Sequence, residues 1–343
     1  MRQSLNSRLR AIAAAAMIAA ISATPAHAAT VNIDPSVTAG IDIVGAGGNV
    51  TWENVNSQQS NNEDYTLGGR PVGTSLHLQD ARTPNNGGSA YDEGSFAVNG
   101  QAIDDDDGDV DVTRGSNGTK LVADPVFAGG LTGAYEWFFF GAETVDSDPL
   151  ARAYIELTNP TNDVTPVTLQ QGVNSGADRN ITVERSGTGD SAFDGDDAYA
   201  LLSDDGNGDP FTGFSFFGDG AQLTPTDSGL FAPNNRVNVD NVNTLFEFDL
   251  APGETISLLF FWGVFDTVLY DLDSAEEIMK RTVGDIQSLR EAGYLVGLSD
   301  DQIGRIANYG QGSDVAPSPI PATLPLLLGG IGALAVFRRR RDA

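Results

Sequence analysis

The chain has 343 residues, no cysteine and a formal net charge of −28 at pH 7. Seven of its 19 basic residues stand at the two ends; without them, and without Asp342, the central part keeps 12 basic and 46 acidic residues, a net charge near −34. Such a charge excludes nucleic acid and anionic lipid as partners. The lack of cysteine excludes disulfides, thiolate-bound metals and a cysteine nucleophile.

The first 28 residues are predicted to be a secretory signal peptide. An apolar stretch runs from Ala11 to Ile21, and Ala26-His27-Ala28 forms an A-x-A cleavage site. Signal peptidase is therefore expected to release a mature chain that starts at Ala29. A retained anchor helix is the alternative, but the apolar stretch is too short to span a bilayer. The basic residues before the stretch are Arg2, Arg8 and Arg10.

Short strands are predicted where apolar and polar residues alternate and, at Tyr135–Phe140, where aromatic residues follow one another in a buried strand. They are Gly40–Val44, Asn49–Glu53, Tyr135–Phe140, Arg152–Thr158, Thr165–Gln171, Asn180–Arg185, Ala198–Leu202 and Phe214–Phe217. Polar loops are predicted at Asn54–Asp64, Arg82–Ser89 and, with the most acidic composition, Gln101–Asp111. Phe246–Leu250 and Ile256–Trp262 alternate on either side of Ala251-Pro252-Gly253-Glu254, which predicts a hairpin.

The strands together predict a mostly β fold, an antiparallel β-sandwich over residues 29–310 with a soft boundary near residue 130. Two short helices are expected at its C-terminal end. Ser274 with Glu277, and Ser299 with Gln302, have the spacing of capping boxes. The first helix is expected to bury Met279, Val283, Ile286 and Leu289 and to end before Gly293, and the second to bury Ile303, Ile306 and Ala307 and to end at Gly310. Residues 311–318 are predicted to be a linker.

Two acidic segments have the spacing that calcium loops use at their first, third and fifth positions. They are Asp107, Asp109 and Asp111, and Asp205, Asn207 and Asp209. Val112 and Pro210 take the sixth positions, where an EF-hand needs glycine, so neither segment is an EF-hand. Two interpretations stay open. The segments could bind Ca²⁺, and residues 205–209 could share one ion with the acidic residues at 190–197. Alternatively, the segments are solvated turns, which Asp, Asn and Gly favour without an ion.

A catalytic centre has little support in the sequence. Once the leader is removed His77 is the single histidine, which excludes a multi-histidine zinc site, and no G-x-S-x-G motif accompanies it. A pair of carboxylates could hydrolyse glycosides, but no pair stands out among so many acidic residues.

The aromatic residues suggest one candidate ligand platform. Trp52 lies among Thr, Glu and Asn, which suggests an exposed ring that stacks on a sugar. Tyr65 and Tyr91, in polar surroundings, come next. Trp137 and Trp262 lie in very apolar strands and are expected in the core.

The C-terminal residues 319–343 have three parts in a fixed order. Pro319-Ile320-Pro321-Ala322 comes first, and an apolar run from Thr323 to Phe337 follows. The run has about 15 residues, against about 20 for a comfortable transmembrane helix. The basic residues after it are Arg338, Arg339, Arg340 and Arg341. Such residues stay on the cytoplasmic side, so the preceding domain is expected outside.

This order resembles the PEP-CTERM sorting tails, in particular the VPLPA variety, although Ser318 and Ile320 stand where Val and Leu are usual. The resemblance covers residues 317–343. It implies that a membrane enzyme, an exosortase, cuts at the motif and passes the protein to the cell surface or extracellular matrix. A plain tail anchor is the alternative. The central domain resembles secreted bacterial surface β domains of unassigned function, which implies no catalytic residue.

Two hypotheses for the function follow. In the first, the chain is an exported, non-catalytic surface or matrix protein, held in the inner membrane before processing, with extracellular polysaccharide and Ca²⁺ as candidate ligands. In the second, it is an exported polysaccharide hydrolase with two carboxylates roughly 5–10 Å apart across a groove. The single histidine and the missing catalytic motif favour the first.

Overall fold

The computed structural model describes residues 29–33, 41–45, 49–55, 66–67, 70–71, 78, 80–88, 90–91, 93–141, 148–175, 181–204, 208–231 and 241–312. Most of these residues lie in strands. The strands are β1 (Ala29–Ile33), β2 (Ile41–Val44), β3 (Thr51–Val55), β4 (Thr66–Leu67), β5 (Arg70–Pro71), β6 (Asp80–Arg82), β7 (Glu93–Val98), β8 (Gln101–Ala102), β9 (Asp104–Gly115), β10 (Gly118–Val126), β11 (Thr132–Phe140), β12 (Leu150–Thr158), β13 (Thr165–Asn174), β14 (Ile181–Ser186), β15 (Tyr199–Asp204), β16 (Phe211–Ser215), β17 (Asp227–Phe231), β18 (Asn241–Leu250) and β19 (Thr255–Phe265).

Two antiparallel sheets dominate the described part of the chain. The larger has nine strands in the order β1-β9-β10-β11-β12-β19-β16-β15-β14, and the second has five in the order β17-β18-β13-β7-β8. Two small sheets, β2-β3-β6 and β4-β5, accompany them. The predicted mostly β, antiparallel fold is therefore confirmed. The nine-stranded sheet takes strands from both sides of residue 130, so a domain boundary there would cut through it.

The two large sheets pack face to face around an aromatic core. The Phe260 ring of the nine-stranded sheet lies 4.9 Å from that of Phe96 and 5.7 Å from that of Phe246, both on the five-stranded sheet. Trp137 and Trp262 lie 4.9 Å apart in the same core and are almost fully buried, as predicted. Alternation along the strands sends these side chains to one face of each sheet, which explains the sandwich.

The predicted hairpin around residues 251–254 is wrong. β18 belongs to the five-stranded sheet and β19 to the nine-stranded sheet, so the turn carries the chain from one sheet to the other. The turn after β12 makes the same kind of crossing, and Asn159 fastens the two turns together. Its Nδ2 donates to the carbonyl of Leu250 at 2.9 Å, and its carbonyl accepts from the N–H of Gly253 at 2.8 Å. A turn sequence specifies a reversal but not the strand that pairs next.

Short helices cover the other face of the nine-stranded sheet: α1 (Leu272–Arg281), α2 (Ile286–Glu291) and α3 (Asp300–Ile303). The first predicted helix is in fact two. The first of them, α1, starts earlier than predicted, because Asp271 rather than Ser274 is its N-cap. The second, α2, starts after Asp285, which is its N-cap. The capping box of Ser299 and Gln302 is confirmed at α3, which ends at Ile303 instead of continuing to Gly310.

The helical layer and the nine-stranded sheet share a second core. Its members include Phe140, Tyr154 and Phe261 from the sheet and Met279, Ile286 and Leu289 from the helices. Arg152 reinforces the contact from inside: its buried Nη1 donates to the carbonyls of Tyr294 at 2.7 Å and Val296 at 2.9 Å, and its guanidinium lies 5.1 Å from the centre of the Phe138 ring. Burial lowers the pKa of Arg152 to about 10, and the guanidinium stays charged at neutral pH.

Candidate functional site

Several sequence predictions fall on residues outside the described ranges. These are the signal peptide with its cleavage site, the sorting motif, the apolar run, the arginine cluster, His77 and Tyr65. None of the helices in the described ranges is long and apolar enough to cross a membrane. The export and sorting predictions therefore remain predictions.

The proposed platform at Trp52 is wrong. The ring is fully buried, stacks on Tyr91 at 6.1 Å and lies 5.5 Å from Phe139. Tyr91, the second choice of the sequence analysis, is fully buried too. The polar neighbours of Trp52 misled the prediction because successive strand residues point to opposite faces. Thr51 and Glu53 are half-buried while Trp52 points into the core.

The acidic loop predicted at Gln101–Asp111 is also wrong, because these residues belong to β8 and β9. Val110 and Val112 are buried in the core, and Asp111 between them is exposed. The register of β9 against β10 shifts between Ala123 and Pro125, so Asp107 and Asp109 lie in an irregular stretch of the strand. Ca²⁺ binding by Asp107, Asp109 and Asp111 stays a prediction.

The second acidic segment lies mostly outside the described residues, which include Asp209 but not Asp205 or Asn207. Asp209 follows the C-terminal end of β15, and residues 190–197 precede the start of that strand. Ca²⁺ binding by Asp205, Asn207 and Asp209, alone or together with residues 190–197, stays a prediction. Asp197 shapes its own turn by accepting hydrogen bonds from the N–H of Thr188 and of Asp194.

In the described part of the chain, no group of three or more His, Cys, Asp or Glu side chains comes together as the ligands of a metal ion would. Several carboxylates of this part instead accept hydrogen bonds from backbone N–H groups, arginines or tyrosines, as Asp197, Asp148 and Glu156 do.

Tyr270 has a half-buried side chain on which several charged groups act. Its side chain hydrogen-bonds to that of Asn49. Burial, and then the negative charges of Asp148 and Asp266, raise the pKa of Tyr270, while Arg281 opposes them. The two residues before Tyr270 in the chain, Val268 and Leu269, are exposed, with 70% and 51% of their surface accessible. We call this group the Tyr270 cluster.

Both carboxylates of the Tyr270 cluster are engaged in hydrogen bonds. Asp266 Oδ2 accepts from the N–H and the Nδ2 of Asn85, at 3.0 and 2.9 Å, and its Oδ1 accepts from the N–H of Val268. Asp148 Oδ1 accepts from Arg281 Nη2 at 2.8 Å, and its Oδ2 from the Tyr294 hydroxyl at 2.6 Å. A general acid or base needs an oxygen within reach of the substrate. These oxygens hold loops and helices in place instead.

A second carboxylate pair, Glu136 and Glu156, joins the sheet to the C-terminal segment. Glu136 Oε2 lies 2.7 Å from Lys120 Nζ, and its Oε1 accepts from Gln302 Nε2. Glu156 Oε2 accepts from Arg305 at 2.9 Å and from the Tyr154 hydroxyl. Burial, together with these negative charges, raises the pKa of Tyr154. The pair therefore fastens α3 and Arg305 to the sheet.

Sequence reasoning missed both carboxylate groups. Asp266 follows the apolar strand β19 directly, and Asp148 stands two residues before β12. An acidic residue directly beside a very apolar strand is a usable signal, because its backbone neighbours are buried and its carboxylate needs local donors. Their spacing in the sequence does not predict that both would act on Tyr270, because the fold brings residues 148 and 266 near it from distant parts of the chain.

A polar row crosses the inner face of the five-stranded sheet. Gln171 of β13 lies opposite Thr244 of β18, and Thr244 lies opposite Ser228 of β17. Gln171 also lies opposite Phe96, a core residue, so the row points into the sandwich. The side-chain oxygen and nitrogen atoms of the row are buried and make no hydrogen bond. Each buried polar group without a hydrogen bond lowers the stability of the fold by about 1–3 kcal/mol. The row therefore weakens the packing between the two sheets.

Comparison with known proteins gives no family. No protein-family model matches the chain, and no curated protein matches it. Among solved structures, a mutant of the heparan sulfate lyase HepC from Pedobacter heparinus overlaps at 7% identity and a TM-score of 0.33, over 50% of this chain and 24% of the lyase. This chain thus spans about a quarter of the lyase.

Two other solved structures overlap to a similar degree. The Slr1438 protein from Synechocystis does so at 9% identity and a TM-score of 0.38, over 72% of this chain and 99% of that protein. A TPR-domain containing protein from Parabacteroides distasonis does so at 10% identity and a TM-score of 0.36, over 58% and 44%. Overlaps this partial assign neither a fold family nor an activity.

Proposed function

We propose that this chain is an exported, non-catalytic β-sandwich protein that its C-terminal tail displays at the cell surface or in the extracellular matrix. The observation that carries the proposal is the order of the tail: the motif Pro319–Ala322, an apolar run and the cluster Arg338–Arg341. The motif begins seven positions after Gly312, the last described residue. Signal peptidase and an exosortase-like enzyme are the processing partners.

The charge of the chain supports display outside the cell. A central part near −34 stays soluble and repels anionic lipid, so the domain is expected to stand away from the membrane except where its tail holds it. The arginine cluster would keep the end of the tail cytoplasmic until processing. Extracellular polysaccharide and Ca²⁺ remain the candidate ligands.

The engaged carboxylates support a non-catalytic domain. In the described part of the chain, Asp148, Asp266, Glu136 and Glu156 each accept hydrogen bonds that fasten one element to another. The alternative of a polysaccharide hydrolase requires two carboxylates that face a groove. Asp148 and Asp266 both act electrostatically on the half-buried Tyr270, so Asp148→Asn and Asp266→Asn are the variants in which to seek lost hydrolysis.

The experiment that tests the proposal follows the epitope-tagged full chain in its native cells. The wild type is expected to lose both ends and to appear at the surface or in the matrix. The double variant Pro319→Ala, Pro321→Ala is expected to keep its tail and to stay with the inner membrane. Pro317→Ala, a proline outside the motif, is the matched control and should be processed normally.

Two results would contradict the proposal. If the double variant is shortened and released like the wild type, the motif does not direct processing. If the wild type stays in the cytoplasm with an intact leader, the chain is not exported.

A further inference from the structure

We propose that Asn117 is a site of spontaneous covalent modification, at which the side-chain amide is lost and the residue becomes aspartate or isoaspartate. The inference concerns the folded domain alone and does not depend on export or display. It rests on the Asn-Gly pairs of the sequence and on the different ways in which the fold holds them.

The reaction joins an asparagine side chain to the backbone nitrogen of the next residue. This nitrogen attacks the carboxamide carbon, and the new C–N bond closes a succinimide ring. The carboxamide C–N bond breaks, and the amide nitrogen leaves as ammonia with the proton that the backbone nitrogen has lost. Water then opens the ring at either of its carbonyl carbons, which gives aspartate or isoaspartate without any oxidant or reductant. A following glycine favours the attack because it has no side chain to obstruct it.

Asn-Gly pairs occur in the chain at Asn86, Asn99, Asn117 and Asn207. Asn207 lies outside the described residues. At each of the other three, the ring closes only if the carboxamide turns towards the following backbone nitrogen and if water reaches the site. Exposure and the hydrogen bonds on each carboxamide therefore set the order of their rates.

The carboxamide of Asn86 is fastened to segments far away in the sequence. Its Nδ2 donates to the carbonyl of Gly208 at 2.6 Å and to Thr267 Oγ1 at 2.7 Å. Its Oδ1 accepts the N–H of Thr267 at 3.1 Å and the hydroxyl of Thr83 at 2.8 Å. A turn of the carboxamide towards Gly87 would break these hydrogen bonds, so ring closure at Asn86 is slow.

Asn99 is held in a similar way, in the turn between β7 and β8. The residue is half-buried, and its Oδ1 accepts the N–H of Thr168 at 2.9 Å. Its own N–H donates to the carbonyl of Thr168 at 2.8 Å. Asn99 is thus bound to β13 through both its side chain and its backbone, and ring closure there requires that the turn leave β13.

Asn117 has the corresponding position in the turn between β9 and β10, but its side chain is exposed. Its backbone carbonyl accepts the N–H of Gly141 at 3.2 Å, and Ser116 Oγ lies 3.5 Å from its Oδ1. Water therefore reaches the carboxamide directly, as both ring closure and ring opening require. Of the Asn-Gly pairs that the structure describes, this pair is the one expected to react first.

The fold requires the glycine of this pair. Gly118 has a φ of +143°, and a Cβ there would collide with the carbonyl of Phe139 and the ring of Phe138. Isoaspartate would carry the main chain through the former side chain and lengthen it by one carbon. In a turn of only two residues, this change is expected to disturb the hydrogen bond between Asn117 and Gly141.

The test ages the full chain in mildly alkaline buffer, folded and, in parallel, unfolded in concentrated urea. Peptides that contain residues 86, 99 and 117 are separated and weighed, which distinguishes asparagine, aspartate and isoaspartate. The rate in the folded chain is divided by the rate in urea at each site, so that the effect of the neighbouring sequence cancels. Thr267→Ala, which removes one hydrogen-bond acceptor from Asn86 at an exposed position, is the matched variant.

The ratio of rates at Asn117 is expected to exceed the ratios at Asn86 and Asn99 several-fold. Thr267→Ala is expected to raise the ratio at Asn86 and to leave that at Asn117 unchanged. A ratio at Asn117 no higher than at the other two sites would overturn the proposal. If Thr267→Ala leaves the ratio at Asn86 unchanged, the hydrogen bonds do not set the order of the rates, and the argument for Asn117 fails with them.

Discussion

Asn308→Ala is expected to destabilise the domain, because the Asn308 side chain hydrogen-bonds to backbone groups at one end of the nine-stranded sheet. The ladder between β16 and β19 ends at Ser215 and Phe261. Beyond that point the Asn308 carboxamide replaces the missing strand: its Nδ2 donates to the carbonyls of Leu259 at 2.6 Å and Phe216 at 2.8 Å, and its Oδ1 accepts the N–H of Leu259 at 2.9 Å. Asn308 is fully buried.

The magnitude follows from the groups that lose their partner. Alanine at position 308 leaves two carbonyls and one N–H without a hydrogen bond in the interior. A buried unpaired group costs about 1–3 kcal/mol, so the loss of three partners should lower the free energy of unfolding by at least about 3 kcal/mol. That is a large part of the 5–15 kcal/mol typical of a whole domain. Asn308→Asp should cost at least as much at neutral pH, because a carboxylate oxygen would face two carbonyl oxygens.

Urea unfolding of residues 29–312, followed by tryptophan fluorescence, measures this loss, since all three tryptophans are buried. Asn162→Ala, at an exposed turn residue, is the control and should change stability by less than about 0.5 kcal/mol. A loss below about 1 kcal/mol for Asn308→Ala, with an unchanged dependence on urea, would refute the argument that its hydrogen bonds hold the segment.

Three further predictions concern packing, the polar row and pH. A Cβ on Gly94 would lie 2.2 Å from the Trp262 ring, so Gly94→Ala should cost about 1–3 kcal/mol and change the near-ultraviolet circular dichroism. Thr244→Val removes an unpaired buried hydroxyl at constant shape, so the melting temperature should stay or rise; a clear fall would show that the hydroxyl has a partner. Asp285 accepts the backbone N–H of Ser288, which lowers its pKa. As a helix cap, Asp285 stabilises the folded state by about 0.5–2 kcal/mol. This stabilisation is complete above the ordinary aspartate pKa near 3.9, and it is lost as the pH falls through the lower pKa of the folded state. Asp285→Ala should therefore equal the wild type in free energy of unfolding only at a pH below the folded-state pKa of Asp285. If the two proteins differ by the same free energy at every pH from neutral downward, the charge of Asp285 does not stabilise the helix.

Local pattern was enough to predict most strands of the described domain. β12, β13 and β14 follow closely from alternation, because successive strand residues point to opposite faces and apolar residues at every second position mark a core-facing side. β11 follows from its run of aromatic residues instead, since both of its faces are buried. The fully buried Trp137 and Trp262 could be predicted for the same reason. The capping box at Ser299 was predictable because its two hydrogen bonds join residues three apart in sequence.

Predictions failed where the answer depended on distant residues. The turn at 251–254 has hairpin chemistry, yet β13 and β17 rather than β19 pair with β18. The acidic composition of β9 predicts a loop, but β10 supplies a ladder that overrides it. Trp52 has polar neighbours in sequence and aromatic neighbours in space. Each failure reflects a partner more than ten residues away.

The sequence by itself determines the alternation that makes this protein mostly β, the acidity of its central part, the lack of any cysteine and the order of the parts in its tail. These are properties of composition and of neighbours within a few residues. Only the tertiary structure decides which strands share a sheet, that Trp52 is buried, and that Asp148 and Asp266 both act on Tyr270. The physical reason is that burial and hydrogen-bond partners are set by contacts between segments far apart in sequence, and a turn or a strand pattern carries no information on which distant segment will supply them.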